Sequence, residues 1–174
     1  MLMPIDEGTH TIGPSNGSLT VKTGKEGAAA KAGHNLVLGV NSWEATVEGG
    51  DSPSISLTAD PGSIEVISGE GGAKPLADKD KDDIKKSIGS KVLGSSEITF
   101  NSSSVDDSAA QGDLSIAGKS NSVSVPLQVG NGKISGSLTL SQKDYGIKQF
   151  SALMGALKVK DQVTVEFEGQ VPTS

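Results

Sequence analysis

The stretch that decides the fold is NSVSVPLQVGNGKISGSLTLSQ, residues 121–142. Apolar side chains occupy alternate positions on both sides of the dipeptide Asn131-Gly132, as at Val125 before it and Leu138 after it. A period of two is typical of strands with one buried face, and Asn-Gly favours the tight turn of a hairpin. The stretch therefore predicts two antiparallel strands whose apolar face covers a neighbouring sheet, a solid core or a cavity.

Apolar runs with the same period recur along most of the chain and predict about eight or nine strands. They occupy residues 18–23, 36–47, 54–66, 98–100, 114–116 and 163–167. The parity switches near Asn41 and Ser42, and residues 60–62 predict either a turn or a sharply kinked strand. Such irregularities bend strands where a barrel must curve. Pro126 cannot donate a hydrogen bond and predicts an edge or an opening in the sheet.

Two segments depart from the period of two and predict short helices. Residues 78–92 place Ile84 and Ile88 four positions apart, with acids near the start and lysines toward the end, as the helix dipole favours. Residues 144–159 carry apolar side chains at steps of three and four, which predicts a second helical stripe before the last strand. This second stripe is either core packing or an adaptable apolar lid.

Composition and charge exclude several classes of function. The net charge is −6, and all 15 basic residues are lysine, which disfavours a nucleic-acid partner because bidentate phosphate and guanine recognition needs arginine. The chain has no cysteine, so disulfides, thiolate metal sites and a cysteine nucleophile are excluded. The opening residues MLMPIDEG lack a basic start and an apolar run, and no apolar run approaches the roughly 18 residues of a spanning helix. We therefore expect a cytoplasmic protein without stable membrane insertion.

Motifs for cofactors, metals and catalysis fail when they are examined position by position. The acidic run that begins at Asp78 starts like a calcium loop, but its sixth position is Asp83 and its twelfth is Gly89. The acids therefore suit a helix start. The GKS at residues 118–120 lacks the first glycine of a phosphate-binding loop, which would stand at Asp113. We predict no cofactor, no metal site and no catalytic residue.

Only two histidines, His10 and His34, are available for acid–base chemistry. His34 begins an apolar run after the small residues AAAKAG, so it either has a structural role or contacts a ligand. An enzyme would need His34 as a base beside a carboxylate such as Glu44 or Asp144. The sequence does not bring these groups together, and a binding function is the stronger hypothesis.

Four segments together resemble the YceI family of lipocalin-like, polyisoprenoid-binding proteins, particularly its actinobacterial branch. They are KTGKEGAAAKAGHNL, GGAKPLADKDKDDIKKSI, GDLSIAG with VSVPLQV, and DYGIKQFSALMGALKVKDQVTVEFE. The resemblance implies an all-β fold, an eight-stranded antiparallel lipocalin-like barrel with one or two short helices, which holds a long apolar chain. It covers residues 9–172 as a single YceI-like domain after a flexible N-terminus of residues 1–8.

The composition of the inward positions favours a hollow barrel over a solid one. Aromatic residues make up 3% of the chain, and Gly136 adds no side chain to the inward face. An eight-stranded barrel has room for either a packed interior or one small ligand. The composition favours a cavity, and the resemblance implies that its ligand is an isoprenoid or similar lipid, which the protein would carry or sequester; a homodimer is left open.

The predicted ligand-binding residues form three groups. The lining of the apolar tail comprises Leu38, Leu57, Phe100, Ile116, Val125, Leu138 and Phe167. His34 and Tyr145 are candidate polar contacts near the mouth, which Phe150, Leu153 and Met154 would close. The alternative hypothesis is a structural or protein-interaction module with a solid core, whose exposed edge near Pro126 binds a protein.

Overall fold

The computed structural model describes residues 5–72, 75–152 and 157–173. The strands are β1 Gly8–Ile12, β2 Gly17–Lys22, β3 Lys25–Glu26, β4 His34–Val40, β5 Trp43–Gly49, β6 Ser54–Ala59, β7 Ile64–Gly71, β8 Ile98–Val105, β9 Ala109–Ile116, β10 Lys119–Gly130, β11 Lys133–Ser141, β12 Ser151–Ala152, β13 Leu157–Val159 and β14 Gln162–Gln170. Helix α1 spans Asp78–Ser87 and continues as a π-helical segment over Ile88–Leu93. Short 3-10 turns cover Ala30–Ala32, Pro61–Ser63 and Gln142–Tyr145.

The main sheet closes on itself through three bent strands. Its order is β1-β5-β6-β8-β9-β10-β11-β14-β2-β4-β7, and all pairs are antiparallel. Only Asn41 and Ser42 separate β4 from β5, so these are two halves of one bent strand. The halves β1 and β2 pair along one side of it, and the halves β6 and β7 pair along the other side, so each of these two pairs also counts as one bent strand. Counted in this way, eight strands form a ring in chain order. The predicted all-β antiparallel barrel is confirmed.

The hairpin predicted for residues 121–142 forms. Gly130 pairs with Lys133, which leaves Asn131 and Gly132 as a two-residue turn. Their φ angles are 55° and 77°, and a tight turn with positive φ at both central residues matches the twist of the flanking strands. Asn and Gly adopt this conformation more readily than other residues, which explains why the turn forms here.

Pro126 marks an opening in the wall, as predicted. On one side it pairs with Ala109 of β9, whereas the ladder between β10 and β11 runs only from Leu127 to Gly130. The turn that follows β11 lies against β10 above this point, where the Asn121 side-chain amide donates to the Asp144 carbonyl oxygen at 2.7 Å. The two strands thus stop pairing at Leu127, and the turn after β11 contacts β10 again at Asn121.

The predicted helix over residues 78–92 is also confirmed. The Asp80 carboxylate accepts a hydrogen bond from the Ala77 backbone N–H at 2.9 Å and satisfies a free donor at the helix start. Lys85 Nζ lies 3.4 Å from Glu65 Oε1, an exposed ion pair that links α1 to β7. On the side of the bent strand β6–β7, β8 pairs with the β6 half, and α1 lies beside β7 where a longer β8 would otherwise continue.

The expectation of a second helix over residues 144–159 is wrong for the described part of that segment. The turn Gln142–Tyr145 ends at Gly146, whose φ is 70°, and the chain then becomes extended. Strands β12, β13 and β3 form a small separate sheet, and the Val159 N–H donates to the Phe150 carbonyl at 3.0 Å. Pairing with β3 satisfies backbone groups that a helix would otherwise satisfy internally. Residues 153–156, which include Leu153 and Met154, lie outside the described residues.

One end of the barrel is filled by side chains. Ile12 and Ile134 are fully buried, and the rings of Trp43 and Phe167 meet edge to face with centroids 5.7 Å apart. A Cβ at Gly169 would lie 2.5 Å from Ile12 Cγ2, so the absence of a side chain at that position allows Ile12 to pack against β14. We call this region, formed by Ile12, Trp43 and Ile134, the plug.

The plug predicts unequal costs for two truncations on the inward face of β11. Ile134→Ala should lower the free energy of unfolding by about 2–5 kcal/mol, because its buried side chain is surrounded by packed atoms. Leu138→Ala should cost less, below about 2 kcal/mol, because Leu138 faces a cavity and loses fewer contacts. Urea unfolding followed by circular dichroism measures both values. Equal large losses would contradict a hollow interior at Leu138.

Candidate functional site

A cavity of about 500 Å³ occupies the barrel on the far side of the plug. This volume lies within the range of small-molecule sites, roughly 300–1,000 Å³. Alternation along the strands directs aliphatic side chains inward from most of the ring. The wall comprises Leu19, Val21, Leu36, Leu38, Val40, Ile55, Leu57, Ala59, Ile64, Ile98, Phe100, Ala110, Leu114, Ile116, Val125, Leu127, Gly136, Leu138, Leu140, Val163, Val165 and Phe167.

Two segments outside the ring cover the cavity. From one side, α1 and the π-helical segment contribute Ile84, Ile88, Val92 and Leu93. From the other side come Ile147, Phe150 and Val159, which belong to the extended segment and the small sheet. The cavity is therefore bounded by apolar groups from both the strands and their covering segments.

The polar lining residues lie on the segments that cover the cavity and at strand ends. They are Thr23, Asp83, Ser87 and Gln142. Thr23 Oγ1 accepts a hydrogen bond from the Leu36 N–H at 3.2 Å, and Gln142 Nε2 donates to the Lys160 carbonyl at 3.1 Å. These four residues, which we call the rim, are the polar residues among those that line an otherwise apolar cavity.

Asp161 holds Gln142 in place at the rim. Its backbone carbonyl accepts from the Gln142 N–H at 3.0 Å, and its carboxylate accepts from the Ser141 hydroxyl and from the Lys143 N–H at 2.9 Å. The hydrogen bond from Ser141, followed by that from Lys143, lowers the pKa of Asp161 because each favours the ionised form. The side chain is thus an anionic anchor for the turn after β11.

Most of the predicted ligand-binding residues share this cavity. Its lining includes Leu38, Leu57, Phe100, Ile116, Val125, Leu138, Phe150 and Phe167. Leu57 and Phe100 are directly paired across β6 and β8. The structure therefore brings together wall residues from strands that are far apart in sequence.

His34 and Tyr145 lie away from the cavity lining. His34 begins β4, where its ring contacts the backbone of Gly72. Tyr145 is buried at the end of the turn after β11, and within the described part of the chain its hydroxyl has no partner at hydrogen-bonding geometry. Burial raises the pKa of Tyr145 because the charged form is poorly solvated there. The nearby Asn121 amide donates to the Asp144 carbonyl instead.

Sequence reasoning missed the contribution of the helical segment to the site. Ile84 and Ile88 were recognised as an apolar helix face, and that spacing was the available signal. The same face brings Asp83 and Ser87 to the rim, because residues three and four positions apart lie on one side of a helix. The acids of α1 therefore include one that borders the cavity.

Comparison with known proteins gives a consistent result. The family model for the YceI-like domain matches residues 10–171. The crystal structure of Burkholderia cenocepacia BcnA has 16% sequence identity and a TM-score of 0.61, covering 87% of this chain and 94% of that one. The crystal structure of a mutant CJ YceI protein for nanotechnology applications has 11% sequence identity and a TM-score of 0.57. The match covers 79% of this chain and 84% of that one. At such identities the likeness concerns the fold.

No curated protein matches the chain in sequence. Within the described residues, no helix combines the length and the apolar character needed to cross a membrane.

The unpaired Tyr145 hydroxyl predicts a stabilising substitution. Tyr145→Phe removes a buried polar group that has no partner, so the free energy of unfolding should rise, by up to about 1 kcal/mol. Thermal and urea unfolding of the two proteins measure the change. Because Tyr145 is the only tyrosine in the chain, an alkaline absorbance titration of the unmodified protein reports its pKa alone. A clear loss of stability would show that the hydroxyl has a partner in solution.

Proposed function

Because the chain belongs to the YceI-like family of polyisoprenoid-binding barrel proteins, we propose that it binds a long apolar amphiphile inside the barrel and carries or sequesters it. An isoprenoid or a similar lipid is the proposed ligand. The observation that supports the proposal is the cavity of about 500 Å³, whose wall is almost wholly aliphatic and aromatic. An apolar cavity of this kind favours a hydrocarbon chain over water.

The hydrophobic effect is large enough to account for binding without polar contacts. Burying about ten methylene groups at about 0.8 kcal/mol each gives a gross gain of roughly 8 kcal/mol. Loss of translational freedom and ordering of the tail offset part of this gain. A longer chain compensates for these terms, so an affinity near micromolar, about −8 kcal/mol, is within reach.

The wall residues that lie together are the proposed contacts for the tail. They are Leu38, Leu57, Phe100, Ile116, Val125, Leu138 and Phe167, and Phe150 closes the cavity beside them. The rim residues Thr23 and Gln142 replace His34 and Tyr145 as the proposed polar contacts. Contacts from Leu153 and Met154, the cytoplasmic location and a homodimer stay predictions.

The competing hypothesis of a solid structural module has less support. Its solid core would need the space that the cavity occupies, and its proposed docking edge near Pro126 stays a prediction. The YceI-like family consists of binding proteins, which also favours a ligand carrier over an enzyme that uses His34.

A matched pair of substitutions on β11 tests the proposed function. Leu138→Trp places a large ring in the cavity and should weaken binding of geranylgeraniol at least about tenfold, because the tail loses its space. Thr139→Trp is the control, since Thr139 is the next residue along the strand and is exposed. Native mass spectrometry after lipid extraction measures the bound fraction for each folded protein. Equal binding by both variants, or no binding by the unmodified protein, would contradict the proposal.

A further inference from the structure

Resting on the proposed function, we infer that the amphiphile ends in an uncharged or cationic hydrogen-bond donor, an alcohol or an amine. Asp83 at the rim selects against an anionic end group such as a phosphate. The inference depends on one observation. The Asp83 carboxylate is one of the few polar groups that line an otherwise apolar cavity.

Asp83 gives the rim its charge. Among the described residues that line the cavity, it is the one charged side chain, and the other polar members, Thr23, Ser87 and Gln142, are neutral. Its position on α1 is exposed, and none of the three ion pairs between described residues includes it. A tail that fills the cavity has its end group at the rim, because an end group deeper inside would lose its hydrogen bonds to water.

Three lysines within two residues of Thr23 or Asp83 are directed to other partners. Lys22 Nζ lies 3.0 Å from Glu166 Oε1, and Lys25 Nζ donates to the Gly33 carbonyl at 2.9 Å. Lys85, on the same helix as Asp83, pairs with Glu65 on β7. Phosphate recognition depends on converging cations or N–H donors. The described part of the rim offers a carboxylate instead, which repels a phosphate by Coulomb interaction.

The hydrogen-bonding capacity of the rim favours a donor on the ligand. The Asp83 carboxylate only accepts hydrogen bonds when ionised. Gln142 donates one of its two Nε2 hydrogens to the Lys160 carbonyl, and its Oε1 atom is an acceptor. The Asp83 carboxylate suits a hydroxyl donor on the ligand, and an ammonium group adds attraction to it.

Three probes with the same tail test the inference, namely geranylgeraniol, geranylgeranylamine and geranylgeranyl monophosphate. The full chain is titrated with each probe below its aggregation concentration. Trp43 is the single tryptophan and contacts Phe167 of the wall, so its fluorescence reports on occupancy. We expect the alcohol and the amine to bind at least about tenfold more tightly than the monophosphate at low salt. The difference should shrink with added salt, because Asp83 is exposed to solvent.

Asp83→Asn and Asp82→Asn form the matched pair of variants. Asp83→Asn should strengthen binding of the monophosphate and weaken binding of the amine, with the alcohol unchanged. Asp82→Asn removes the same charge from the adjacent exposed position, which does not line the cavity, and should change the three affinities by less than about twofold. Equal effects of the two variants would assign any preference to the net charge of the protein and overturn the role of Asp83.

The outcomes separate this inference from the proposed function. If the monophosphate binds as tightly as the alcohol, the inference fails and the proposed function stands. If none of the three probes binds, both are overturned.

Discussion

The alternation of inward and outward side chains around a closed ring is the constraint on which the rest of the structure depends. In a closed barrel every second residue of each strand faces the interior, so the sizes of those residues decide whether it is solid or hollow. Near one end, Trp43 and Ile134 fill the space. Beyond them the inward residues are mostly aliphatic, and a cavity of about 500 Å³ is left between them. The packed side chains that stabilise the fold and the cavity that is the proposed binding site thus lie in different parts of one interior.

Segments outside the ring give the cavity most of its polar lining. The helix α1 lies beside β7, and the turn after β11 contacts β10 at Asn121. These two covering segments bring Asp83 and Gln142 to a lining that the strands make apolar. A strand in either place would have continued the alternation and extended the same aliphatic wall. In the proposed function, the wall supplies the affinity for a hydrocarbon tail, and the covering segments supply the discrimination among end groups.

The period of two predicted the ring and most of the wall, because burial on one face of a strand is visible in a single sequence. Spacing also predicted α1, but it could not show what the Ile84 face covers. The prediction of a second helix failed because apolar steps of three and four occur in extended segments too. Pairing of β13 with β12 and β3 favours strands in this segment. His34, which begins an apolar run, and Tyr145, which lies at the start of the apolar stripe of residues 144–159, are predicted polar contacts near the mouth. The direction of such side chains depends on tertiary packing, which no local pattern specifies.

The presence of a hollow, dry interior is the central claim, and xenon binding tests it most directly. Apolar cavities that stay free of water take up xenon, whereas packed cores do not. Crystals of the lipid-extracted protein, pressurised with xenon, should show ordered xenon among Phe100, Leu138 and Phe167, on the far side of the plug. Side chains that meet across this space, with no xenon between them, would contradict the account.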